Sequence, residues 1–233
     1  MKLQTIGGLA GLICAATYLF GFAYLVTYLA PLGFGTADLD PRAVIDFIEV
    51  SPSFLILWNS VIYILNALAL AVLVVALHAR LCPATKDWAG MTRAFGLIWC
   101  ALVMGAGMIA NVAVERAAII AATDIDRAVT LWETLHAVEL GLGGGNEIAG
   151  GIWILCVSIA GWIGRSLGKI TNVLGLLTGA GGLMTVIPAI GDLTGALFGL
   201  GAIAWFIAIG LSLIFKRAPF EMDHARPKES FDQ

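Results

Sequence analysis

Apolar residues run through this chain in long blocks separated by short polar stretches. An α-helix needs ~20 apolar residues to cross a hydrocarbon core. Six blocks reach about that length, at residues 6–30, 54–77, 94–114, 140–163, 170–190 and 193–215. The period-2 alternation of a membrane barrel is missing. The pattern therefore predicts an all-α, polytopic integral membrane bundle of six transmembrane helices, followed by a mobile tail at 216–233. The first block is too long for a signal-peptide core and reads as an uncleaved helix.

Two blocks extend beyond the bilayer. The helical pattern of the third runs over 94–122, and that of the fourth over 128–163, with a turn near 124–127. This predicts an antiparallel hairpin that rises above the membrane. Earlier, Asp40-Pro41 has the form of an N-cap followed by proline at the first helical position. Residues 42–50 then alternate apolar and charged positions at helical spacing until Ser51-Pro52. A short amphipathic helix is expected there, either capping a cavity or resting on the membrane surface.

Composition narrows the class. Apolar residues make up 60% and charged residues 12%, against ~25% charged in soluble domains. A soluble enzyme, a disordered chain and a nucleic-acid binder are excluded. Of the thirteen basic residues, Lys2, Arg80, Lys86, Arg93, Arg165, Lys169, Lys216, Arg217, Arg226 and Lys228 fall on one side of the predicted spans. Arg42, Arg116 and Arg127 fall on the other. The positive-inside rule then places both termini in the cytoplasm. Cys14, Cys82, Cys100 and Cys156 form no C-x-x-C pair, and each is read as a buried apolar side chain.

Polar residues inside spans face an interior or a cavity, because lipid does not solvate them. Asn59, Tyr63 and Asn66 share one face of the second span, and Asn111 and Glu115 one face of the third. In the fourth, Glu133, His136, Gly143 and Glu147 fall near one face with Glu139 beside it, and Asn146 lies with Glu147 close to the outer interface. From this span His136, Asn146 and Glu147 are taken. These eight residues are the candidate ligand-binding set, gathered in the outer half of the bundle. Gly141 to Glu147 holds three adjacent glycines, which either unwind the helix or give a neighbour a smooth surface to pack on. Glu133-x-x-His136-x-x-Glu139 resembles half of a carboxylate-bridged metal motif. With Glu115 it makes a four-residue metal candidate, and the alternative is an Arg116–Glu133 ion pair beside His136. His78 stands alone at the opposite end.

Several short motifs carry a family resemblance. They are Ile6-Gly7-Gly8-Leu9-Ala10-Gly11-Leu12, Ala67-Leu68-Ala69-Leu70, Leu135-His136, Gly151-Ile152-Trp153-Ile154-Leu155 and Gly168-Lys169-Ile170 before Leu174-Gly175. In these the chain resembles the bacterial six-span membrane family known as domain of unknown function 4386. Thr134 stands where that family often has an acidic residue, and no proline follows the Trp153 stretch near Cys156-Val157. The resemblance implies the fold and an inner-membrane location, but no activity. The first functional expectation is binding or transport of a small or lipid-like molecule through an outer-side polar pocket. The second is an accessory or assembly subunit of a larger membrane complex. The third is a metal-dependent membrane enzyme. The expected partners are the lipid bilayer, a small molecule or lipid, and other membrane subunits. No nucleic acid, cofactor or catalytic residue is assigned.

Overall fold

The computed structural model of the chain describes residues 2–36, 38–144 and 147–215. The predicted tail at 216–233 and the candidate Asn146 lie outside the described residues. The described elements are all helical. They are α1 (Leu3–Tyr24), α2 (Pro41–Val50), α3 (Pro52–Asn59), α4 (Asn66–Leu81), α5 (Lys86–Ala121), α6 (Ile125–Glu139), α7 (Ile148–Ile163), α8 (Lys169–Met184) and α9 (Gly191–Phe215). Three π-helical segments are inserted among them: Leu25–Leu29 after α1, Ser60–Leu65 between α3 and α4, and Leu140–Gly144 after α6.

Among the described residues, five stretches are long and apolar enough to cross a membrane: Leu3–Leu32, Pro52–Leu81, Lys86–Ala121, Ile125–Ile163 and Leu193–Phe215. The block expected at 170–190 differs. Its helix stops at Met184 after 16 residues, and a 3-10 turn follows at Pro188–Ile190. Pro188 lacks the N–H that an α-helix would bond to the Met184 carbonyl, so the helix cannot run through it.

Six helices close into a ring. α1 packs on α4 and α9, α4 on α5, α5 on α7, α7 on α8, and α8 on α9. Small residues set two of these seams. A β-carbon on Gly8 would lie 2.6 Å from the Gly210 carbonyl oxygen, and one on Gly151 would lie 2.8 Å from that of Gly179. Only glycine lets those backbones approach so closely. Buried aromatic rings fill the ring's core: Trp99 and Trp153 have centroids 5.5 Å apart, and Trp153 and Trp205 5.4 Å apart.

A second core forms at the end away from Lys2. The expected hairpin is present: α5 spans 36 residues, about 54 Å at 1.5 Å per residue. Asp40 caps α2 as predicted, accepting from the Arg42 and Ala43 backbone N–H groups at 2.9 and 3.2 Å. Val44, Ile45 and Ile48 of α2 are fully buried. They join Ala113, Val114, Ala117, Ala128 and Trp132 of the hairpin in one apolar cluster. The apolar face of α2 is thus spent on the protein itself, which favours the cap over the membrane-resting connector.

Candidate functional site

Beside this second core, side chains from distant parts of the chain meet. The Tyr63 hydroxyl donates to Oε1 of Glu139 at 2.5 Å. Nδ1 of His136 lies 2.7 Å from Oε2 of the same carboxylate. Both oxygens of Glu139 are therefore engaged, and the residue is only 6% exposed. Local sequence explains the placement. His136 and Glu139 are three apart on α6, so they lie one above the other on a helix face. Tyr63 sits in the π-helical segment Ser60–Leu65, opposite Gly107 of α5. A β-carbon on Gly107 would fall 2.4 Å from Cβ of Tyr63, so the glycine makes room for the phenol.

Aromatic rings wall the cluster. Trp132, one turn before His136, stacks on its imidazole at 4.7 Å and 16°. Phe34 meets Trp58, Trp132 and His136 edge-on. The loop that delivers Phe34 has glycines on either side at φ +82° and +80°. An L side chain rarely adopts that conformation. Trp58 is tied in turn to the Gly21 carbonyl at 3.3 Å.

Further polar groups lie around the cluster. Asn111 Nδ2 donates to Ser60 Oγ at 3.1 Å, while Asn111 Oδ1 is buried without a partner among the described residues. A buried acceptor in that condition is costly unless another donor reaches it. Asn59 is buried at the end of α3. The Glu147 carboxylate is within electrostatic range of Tyr18 and Tyr63, and its backbone N–H donates to Thr185 Oγ1 at 3.0 Å.

The glycine run breaks its helix. Gly143 has φ +138° and ψ +5°, inside the π-helical segment Leu140–Gly144. Nothing lies within 4 Å of a β-carbon built on Gly141 or Gly143. The segment packs on α5, where Leu142 Cδ1 would lie 3.7 Å from a β-carbon on Gly105. Gly141 and Gly143 are not at that contact, and the φ of Gly143 is that of unwound backbone. π-Helical turns are rare and often mark functional sites. Of the three among the described residues, one holds Tyr63 and another begins directly after Glu139.

The structure redistributes the predicted residues. Tyr63, His136 and Glu139 come together, and Asn111 bonds Ser60 in the segment that carries Tyr63. Glu115 and Glu133 do not join them: both are exposed, as is Arg116. Among the described residues, no group of three or more His, Cys, Asp or Glu is placed to hold a metal ion. Glu115, Glu133, His136 and Glu139 are therefore not a ligand set. Asn66 is also reassigned. Its Nδ2 donates to Thr17 Oγ1 at 2.6 Å, and the Thr17 hydroxyl donates to the Cys14 carbonyl at 2.8 Å. That is a polar link across the α1–α4 seam, of the kind that holds membrane helices together. His78 donates through Nδ1 to the Ala89 carbonyl at 2.9 Å. The four cysteines are free thiols.

Sequence reasoning missed Tyr18, Phe34, Trp58, Ser60 and Trp132. Only Trp132 gave a local signal, as an aromatic one helical turn before His136. The others are brought in by packing between elements far apart in the chain. Comparisons with family models, with curated proteins and with solved structures returned no match.

Proposed function

We propose that this chain is a six-span protein of the bacterial inner membrane, with both termini cytoplasmic, that binds a small or lipid-like molecule at the Tyr63–Glu139–His136 cluster. The five long apolar stretches support the membrane setting, and α8 is counted as the sixth crossing with the turn after it. The bias of basic residues to one end supports the orientation. Likeness to the domain of unknown function 4386 family belongs to the same proposal and supplies no activity of its own.

The observation that carries the binding reading is a buried, hydrogen-bonded carboxylate placed between two π-helical turns and beside a glycine break. Each of these costs folding free energy, and such costs concentrate at functional sites. The aromatic wall gives the site apolar surface, and the free Asn111 Oδ1 offers an acceptor to a ligand donor. Transport is an extension of binding: α6 and α7 are separated by unwound backbone, as in transporters that bind substrate at broken helices. The test is native mass spectrometry of protein released gently from membranes. A bound small molecule or lipid retained by the wild type and lost in Tyr63→Phe and Asn111→Ala supports the proposal. Retention unchanged in both variants removes the site assignment.

A further inference from the structure

We infer that Glu139 exchanges a proton with the outside through His136, so that this site changes charge with protonation. The inference goes beyond ligand binding and stands without it. It rests on a continuous chain of titratable side chains. His136 is the more accessible member, with its side chain 18% exposed against 8% for Glu139. Glu139 follows at 2.7 Å, and the Tyr63 hydroxyl at 2.5 Å beyond it. Nε2 of His136 has no hydrogen-bond partner among the described residues, which leaves it open to water or a ligand. Chains of acidic and histidine side chains within membranes are recurrent proton paths.

The surrounding charges leave Glu139 dependent on this chain. On α6 itself, Glu133 is exposed and Asp126 is committed to Arg42 at 3.1 Å. On α5, Glu115 and Arg116 are exposed. On α2, Arg42 lies beside Asp46 and Asp126, and Glu49 is exposed. On the interior side the titratable groups are Tyr63, Tyr18 and Glu147, none of them a cation. Among the described residues, the basic side chain that touches the Glu139 carboxylate is His136. Trp132 lies flat against the imidazole and fixes the orientation of the ring.

The proton balance is simple. In the neutral imidazole, Nδ1–H donates to Oε2 of Glu139. A proton from water binds Nε2 and gives the imidazolium. The Nδ1 proton then passes to Oε2. The carboxylate becomes a carboxylic acid and the imidazole ends neutral with its proton on Nε2. One proton has entered and no other bond has changed. The reverse sequence returns it.

The experiment is infrared difference spectroscopy of the full chain in nanodiscs, following after an acid pH jump the carbonyl stretch at the high frequency of a buried protonated carboxyl group, apart from the lower band of the exposed carboxyl groups. The wild type gains this band. Glu139→Gln lacks it, and His136→Gln gains it at least about tenfold more slowly. Tyr63→Phe removes the phenol donor while keeping both partners, and shifts the band frequency. This third variant keeps the inference testable should Glu139→Gln misfold. A band that persists in Glu139→Gln, forms at the wild-type rate in His136→Gln, or keeps its frequency in Tyr63→Phe overturns the inference. A protein that carries no small molecule yet shows the expected three results upholds the inference while removing the ligand proposal.

Discussion

The Tyr63 hydroxyl donates to Oε1 of Glu139 at 2.5 Å, joining residues 76 positions apart. One partner sits in a π-helical turn and the other ends α6 just before a second such turn. Truncating the phenol leaves a buried carboxylate short of one donor. Tyr63→Phe is expected to destabilise the protein by ~1–3 kcal/mol. Glu139→Gln in the same background should cost less than it does alone, because the partner has already gone. A double-mutant cycle by thermal unfolding in detergent checks this, with a coupling of ~0.5–3 kcal/mol expected.

Gly143 and Gly141 should respond in opposite ways to alanine. Gly143 holds φ +138°, so Gly143→Ala strains the backbone and costs upwards of ~1 kcal/mol. Gly141 has open space around its β-position and no positive φ, so Gly141→Ala is neutral or stabilising by up to ~1 kcal/mol. Paired melting curves separate the two.

α2 should depend on its apolar face and not on its ion pair. Arg42 and Asp126 meet at 3.1 Å, but their side chains are 52% and 95% exposed. Arg42→Ala is therefore expected to change stability by less than ~1 kcal/mol. Ile45 is fully buried, and Ile45→Ala should cost ~2–5 kcal/mol. Protease sensitivity of the 33–50 segment reports the same contrast locally.

The Gly151–Gly179 approach should tolerate no side chain. Gly151→Leu is expected to separate α7 from α8 and abolish a monodisperse elution peak. Gly195→Ala, with nothing within 4 Å of its β-position, should leave the peak unchanged. Size-exclusion chromatography reads both.

The sequence conveyed the coarse plan through its strongest signals. Long apolar blocks, the Asp40-Pro41 start of α2 and the turn before α6 all translate into local physics. The facing of the site did not. At about 100° per residue, Glu133 and Glu139, six positions apart, lie about 120° apart around α6. One faces out while the other faces in, and spacing alone does not choose between them. Helical counting also fails across Gly143, where backbone unwinding resets the direction of Glu147. Ser60–Leu65 reads like any apolar helix. Its wide turn is fixed by what packs around it, including Gly107 across from Tyr63. Asn66 looked like a ligand residue because its partner, Thr17, lies on another helix.

The central claim is that the Tyr63–Glu139–His136 cluster is a binding site. An experimental density map of the protein purified from its native membrane tests this most directly. The account predicts non-protein density within hydrogen-bonding distance of Tyr63, His136 or Asn111 Oδ1. A map in which protein side chains fill that space completely, with the cluster closed on itself and no added density, would contradict it.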